Sequence, residues 1–152
     1  MKKTKDEKSS WKFHHFGAVV EDLEKAIVHF EDLGIGPFTP NPSEGVKERK
    51  VYGKTADIKL KGAVTKLGPL EFELIQPVRG KSVQKVFLDT KGEGINHIGF
   101  IVQDLEKEVA RLEQMGFAAI STGRIPDNGG FAYFKTDSVG GVFIELIEPP
   151  AD

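Results

Sequence analysis

The chain has 152 residues, of which 39% are hydrophobic, 29% charged and 9% aromatic, a composition that can bury one core and excludes wholesale disorder. Lys and Arg number 21 against 23 Asp and Glu, a formal net charge of -2, so no global field draws nucleic acid. No apolar run approaches the roughly 20 residues of a membrane helix, and zero cysteines exclude disulfides, thiolate metal sites and cysteine nucleophiles, which suits a cytoplasmic protein.

Residues 1–11 are Lys-rich with no apolar segment behind them, and read as a flexible, solvated tail rather than a signal peptide. Phe16–Val20 is a β-branched, apolar run that predicts a buried strand. Asp22 then stands where an N-cap belongs, with Glu24 in the first turn, and Leu23, Ile27, Phe30 and Leu33 follow at helical spacing until Gly34. Ile35–Phe38 reads as a short strand, Arg49–Tyr52 as an extra one, and Ile58–Lys66 and Leu70–Gln76 as a pair turned at Gly68-Pro69. Lys81–Leu88 predicts a short linking helix and Lys91–Gly94 a flexible join.

From there the pattern repeats. His15-Phe16-Gly17-Ala18-Val19-Val20-Glu21-Asp22-Leu23-Glu24-Lys25 returns as His97-Ile98-Gly99-Phe100-Ile101-Val102-Gln103-Asp104-Leu105-Glu106-Lys107. Phe72-Glu73-Leu74-Ile75-Gln76-Pro77 returns as Ile144-Glu145-Leu146-Ile147-Glu148-Pro149, in the same order. The second half thus predicts a strand at Ile98–Val102 and a helix from Asp104 to Gly116. Strands at Phe117–Ser121, Phe131–Lys135 and Val142–Ile147 complete it, with a tight turn at Gly140-Gly141. The fold class is α+β: two βαβββ modules, 12–78 and 95–149, joined by a linker at 79–94.

Strand alternation sets His15, Gly17 and Val19 on one face, and His97, Gly99 and Ile101 repeat that face. Glu145 lies between Phe143 and Ile147 in a strand that is apolar on both faces, where an unpaired charge costs several kcal/mol, so a compensating cation is expected. Glu73 holds the matching place in the first half. Two His and two Glu at equivalent positions make a candidate divalent-metal site. The carboxylates neutralise the ion, the imidazoles suit Zn, Ni, Co, Fe or Mn, and no soft sulfur ligand is present.

His-x-Gly opening a strand, Asp-Leu-Glu-Lys opening a helix and x-Glu-Leu-Ile-x-Pro closing each half resemble the vicinal oxygen chelate (glyoxalase/bleomycin resistance/dioxygenase) superfamily, over about residues 12–149. The resemblance implies paired modules forming a cup-shaped curved sheet, often in a homodimer, around one divalent ion (Co, Ni, Zn, Mn or Mg). By motif match His15, Glu73, His97 and Glu145 would be its ligands. Within the group the chain is most similar to methylmalonyl-CoA epimerases, through Asn41-Pro42-Ser43-Glu44-Gly45-Val46-Lys47-Glu48, Gly129-Gly130 with Phe134, and the segment Gly141–Leu146. That likeness implies a metal-dependent epimerase of an acyl-CoA thioester, with Glu145 and Glu48 as the acid–base pair; extra residues before Glu73 leave Asp57 as an alternative to Glu48. Those epimerases often carry Gln at the place of Glu73, whereas a His/Glu/His/Glu set is equally that of glyoxalase I, a lactoylglutathione lyase that isomerises a glutathione hemithioacetal to a glutathione thioester. Both chemistries remove a proton beside a carbonyl polarised by the ion. A third reading is a non-catalytic cup that sequesters a small molecule. Dioxygenase chemistry fits less well, because it needs a 2-His-1-carboxylate set with open positions.

Other features point to structure or solvent. His14 should face away from His15, and His29 lies opposite the apolar stripe of its helix. Gly80-Lys81-Ser82 lacks the earlier glycine of a phosphate loop. Lys47, Arg49, Lys50, Lys54 and Lys59 read as a solvated basic edge, able to attract a coenzyme A phosphate.

Overall fold

In the computed structural model, which describes residues 10–41, 45–127 and 129–151, the chain forms one curled sheet with three helices. In chain order the elements are β1 (Lys12–Val19), α1 (Leu23–Asp32), β2 (Thr39–Pro40), β3 (Lys47–Val51), β4 (Lys54–Thr55), β5 (Lys59–Leu67) and β6 (Leu70–Arg79). After these come α2 (Val83–Lys91), β7 (Gly94–Ile101), α3 (Leu105–Gln114), β8 (Ala119–Ile125), β9 (Gly129–Phe134) and β10 (Phe143–Glu148). The strand order is β2-β5-β6-β1-β7-β10-β9-β8-β3-β4. β1 and β7, the two strands that open with histidine motifs, pair antiparallel at the centre. Each is flanked by the glutamate-bearing strand of its own half in parallel, β6 on one side and β10 on the other. This is the α+β, paired βαβββ cup.

Both helix starts form as the sequence predicts. Asp22 accepts from the backbone N–H of Lys25 and Asp104 from that of Lys107, each at 3.1 Å. α1 covers the convex face over Ala18, Val20, Phe72 and Leu74, and α3 covers it over Ala132, Phe134 and Leu146. Helix α2 packs differently. Its Val83 and Phe87 lie with Val19, Tyr133 and Phe143, residues on the same sheet face as the site positions, so α2 closes one end of the concave face.

Three details differ from the sequence expectation. The strand expected at Ile35–Phe38 is displaced to Thr39–Pro40, because Gly34 and Gly36 take positive φ and Pro37 offers no N–H to a ladder. The tight turn at Gly140-Gly141 is part of a longer connection, residues 135–142, between β9 and β10. The extra strand of the longer first half becomes the β3–β4 hairpin, which leaves its own half and pairs with β8 of the other.

Candidate metal centre

The register at the central seam explains the His-x-Gly spacing in both halves. Gly17 pairs with His97, and His15 pairs with Gly99. A Cβ on Gly17 would lie 2.0 Å from His97 Cε1, and one on Gly99 would lie 2.0 Å from His15 Cε1, far inside any carbon–carbon contact. Each glycine is therefore the socket for the other half's imidazole. The next strands complete two rows across the sheet: Glu73 sits beside Gly17 and Glu145 beside Gly99. Each histidine leans over a glycine toward a glutamate.

The result is one buried cluster. His15 Nε2 lies 2.9 Å from Glu145 Oε2 and 3.1 Å from His97 Nε2. His97 Nε2 is 3.3 Å from Glu145 Oε2 and 3.4 Å from Glu73 Oε1. The His97 side chain is fully buried, and those of His15, Glu145 and Glu73 are 6%, 8% and 13% exposed. The structure thus brings together His15, Glu73, His97 and Glu145. Ligand bonds of about 2.0–2.2 Å around one ion imply ligand–ligand edges of about 3.3–3.6 Å in a tetrahedral set and about 2.8–3.1 Å in an octahedral one, so the contacts made by the two histidines stand near the spacing an ion would impose. His15, Glu73 and His97 form a group whose ligand atoms all lie within 4.8 Å of one another, and Glu145 joins it through the two histidines rather than through Glu73.

Burial and charge oppose each other here. Burial pulls the His15 imidazole down, but the hydrogen bond and charge of Glu145, with the charges of Glu73 and Glu71, leave its pKa raised. Burial pushes the Glu73 carboxyl up, yet the His97 hydrogen bond, the charges of His97 and His15 and a hydrogen bond from Asn41 hold it below its ordinary value. Burial, reinforced by the charges of Glu145 and Glu73, keeps the Tyr133 phenol well above its ordinary value and so neutral; its ring packs edge-on against His97 at 5.1 Å.

The residues that hold the cluster were not read from the sequence. β1 and β7 each carry a bulge immediately before the histidine, at His14 and at Asn96, because the ladder shifts between Phe13 and His15 and between Gly17 and Ala18. His14, expected to face away, is instead brought beside its neighbour: the two Nδ1 atoms are 2.9 Å apart, and His14 Nε2 is 3.7 Å from Glu71. Asn96 is fully buried, and its Oδ1 lies 2.7 Å from His97 Nδ1. Nδ1–H donation to that oxygen leaves the His97 Nε2 lone pair free for an ion. Asn41 Nδ2 donates to Glu73 Oε2. A polar residue just before each histidine was the available signal, and strict alternation discarded it.

Glu48, the expected acid–base partner, is not brought to the cluster. β3 bulges between Lys47 and Lys50, Glu48 takes φ +52°, and its carboxylate accepts from Arg124 Nε at 2.9 Å with the side chain 67% exposed. Asp57 is no substitute, being 81% exposed and paired with Arg79 at 2.8 Å. The bulge exchanges faces: Val46 and Arg49 line the cup, and Glu48 faces outward. Of the segment Asn41–Glu48, residues 42–44 lie outside the described residues, as do 1–9 of the expected tail.

The glyoxalase/bleomycin resistance protein/dioxygenase superfamily model matches residues 14–134. The chain belongs to that superfamily. It is 29% identical over 143 residues to an uncharacterized protein of Bacillus subtilis, YqjC, covering 91% of this chain and 92% of that one. Among solved structures it is similar to a methylmalonyl-CoA epimerase in complex with methylmalonyl-CoA and ammonium, with a TM-score of 0.69, 21% identity and coverage of 94% of this chain and 97% of that one. The epimerase of Mycobacterium tuberculosis gives 0.64 at 27% identity, over 93% and 89% of the two chains. A hypothetical protein of Bacillus halodurans, BH1468, gives 0.67 at 23% identity over 95% and 98%. Among the described residues, no helix is long and apolar enough to cross a membrane.

Proposed function

We propose that this superfamily member is a metal-dependent isomerase or lyase that moves a proton on a carbon next to a carbonyl, with His15, Glu73, His97 and Glu145 holding the ion. The observation that carries the reading is the convergence of four nitrogen and oxygen donors, two from each half, with each carboxylate within 2.9–3.4 Å of a histidine Nε2 and the two Nε2 atoms 3.1 Å apart. A divalent ion held there would supply Lewis acidity, lowering the cost of the negative charge that develops on a substrate oxygen.

The chain's own groups then divide the remaining work. Glu145 is the residue we assign to take up and return the proton, because its carboxylate opens into the cup and sits among the histidines. Glu73, held by Asn41, stays a fixed anchor. Phe131 and Ile147 line the wall and keep water from the proton in transit. The cavity is about 280 Å³, enough for the acyl end of a thioester while a coenzyme A nucleotide would remain outside.

A methylmalonyl-CoA-like acyl thioester is the leading substrate, supported by likeness in fold to structures of methylmalonyl-CoA epimerases. The second reading is a glyoxalase-I-like lactoylglutathione lyase. It is favoured by Glu48 facing outward, since one carboxylate that both takes and returns the proton suits transfer to a neighbouring carbon better than inversion. Incubation with methylmalonyl-CoA in deuterated water should place deuterium on the α-carbon, and protein purified without chelator should contain a divalent ion that His97→Ala lacks. Absence of any divalent ion after reconstitution would overturn the reading. Turnover of the glutathione–methylglyoxal adduct without α-carbon exchange would select the second branch.

A further inference from the structure

Arg49 stands apart from every other arginine in the chain. Arg79, Arg111 and Arg124 each pair with a carboxylate, Asp57, Glu108 and Glu48, at 2.8, 2.8 and 2.9 Å. Lys61, which shares the cup lining, is held by Glu24 at 3.0 Å. Among the described residues no carboxylate lies within ion-pair distance of Arg49. Its guanidinium rests over the ring of Phe131, 5.5 Å from the centroid, and is half-buried in the cup wall.

That position follows from the β3 bulge. In an unbroken strand Val46 and Glu48 would share one face and Arg49 would point outward with Lys47. The shift between Lys47 and Lys50 and the left-handed φ of Glu48 reverse this, moving a carboxylate out of the cup and a cation in. Burial lowers the Arg49 pKa, but a guanidinium remains charged in any protein environment. Glu73 and Glu145 balance a +2 ion, and the third carboxylate of the cup lining, Glu71, stands beside His14 rather than Arg49. A partly desolvated cation with no counter-charge is costly unless an anion arrives with the ligand.

We propose that Arg49 anchors the substrate, receiving a carboxylate that the substrate carries at the end remote from the metal cluster. The inference rests on the metal reading and deepens it: the substrate class becomes a small acid with an oxygen function for the ion and a separate carboxylate for Arg49. The separation is set by the wall. Arg49 stacks on Phe131, Phe131 lies 5.9 Å from Tyr133, and Tyr133 lies 5.1 Å from His97, all between ring centroids. The planar fork of arginine suits a bidentate carboxylate, which a lysine in its place would not match.

Calorimetric titration of metal-loaded protein with the half-amides of succinate, glutarate and adipate, each beside its diamide, tests this. The half-amide offers an amide oxygen to the ion and a carboxylate to Arg49, and the diamide keeps the length while removing the carboxylate. At least one half-amide should bind roughly tenfold to hundredfold more tightly than its diamide. Arg49→Met should reduce that ratio below about twofold while leaving the diamide affinity and the bound metal per chain unchanged. Arg49→Lys should retain only part of the ratio. Equal binding of every pair by the wild-type protein, or a preference that survives Arg49→Met, would overturn the proposal. Metal analysis of the same samples separates the two claims. If no divalent ion is bound, the metal reading fails, and the anion comparison on that protein still decides Arg49.

Discussion

Replacing Gly99 by alanine should disable the proposed metal centre without touching any of its four proposed ligands. The added Cβ would stand 2.0 Å from His15 Cε1, 2.4 Å from Nδ1 and 2.6 Å from Nε2. Carbon atoms in contact settle near 3.5 Å, so the ring must retreat by about 1.5 Å or the strands must part. Ligand distances tolerate only about 0.2 Å. A shift several times larger removes His15 from the donor set. Disturbing the groups that orient a ligand already costs about 10–100-fold in metal affinity, so at least the upper end is expected here. Overpacking should also lower stability by about 1–3 kcal/mol, a fall in Tm of roughly 2–12 °C for a chain of this size. Gly94→Ala is the control on the same strand, because its Cβ would meet only Phe87 Cζ, at 4.0 Å. Competition with a chromophoric chelator reads the affinity, and a thermal melt of metal-free protein reads the strain. Wild-type metal affinity in Gly99→Ala would refute the socket argument. So would equal losses in Gly94→Ala and Gly99→Ala, which would mean that any added methyl on β7 is disruptive.

Asn96→Leu removes the acceptor that fixes the His97 tautomer and should weaken metal binding about 10–100-fold, read by the same competition. Glu48→Gln should leave deuterium exchange within about twofold of wild type, because surface pairs such as that with Arg124 contribute about 1 kcal/mol or less; a loss of a hundredfold or more would restore Glu48 as an acid–base group. Metal affinity should be level above the raised His15 pKa and fall by about tenfold per pH unit below it, as a proton competes for Nε2; a flat chelator titration from alkaline to mildly acidic pH would contradict this.

What could be read from the sequence was whatever the repeat encodes locally. His15, Glu73, His97 and Glu145 announce themselves because two related halves place the same residue types at matching strand positions. The N-caps Asp22 and Asp104 are legible because a cap acts within three residues. The bulges were not legible. A bulge is a mismatch between two strands, and at His14 and Asn96 it depends on how β1 and β7 register against each other, which neither segment specifies alone. The same holds for β3, whose partner β8 lies in the other half of the chain. Alternation therefore sets His14 outside the cup and the motif match sets Glu48 inside it, whereas the bulges bring His14 beside His15 and turn Glu48 outward.

The centre and the wall of the cup thus have different origins. At the centre everything is reciprocal: each half contributes a histidine, a glycine socket for the other's histidine, and a bulged polar residue that holds its own ring. Neither half can complete this arrangement, since a histidine without the opposing glycine has nowhere to lie. The wall is asymmetric. The β3–β4 hairpin occurs in one half only, docks on the other, and there turns Arg49 inward and Glu48 outward. A symmetric ligand set suits the holding of an ion, whose preferences are the same on every side. Choosing between the two ends of a substrate needs a feature that the repeat does not duplicate. The hairpin is that feature, which is why Arg49→Met should change which acid is bound while the metal content of the protein stays constant.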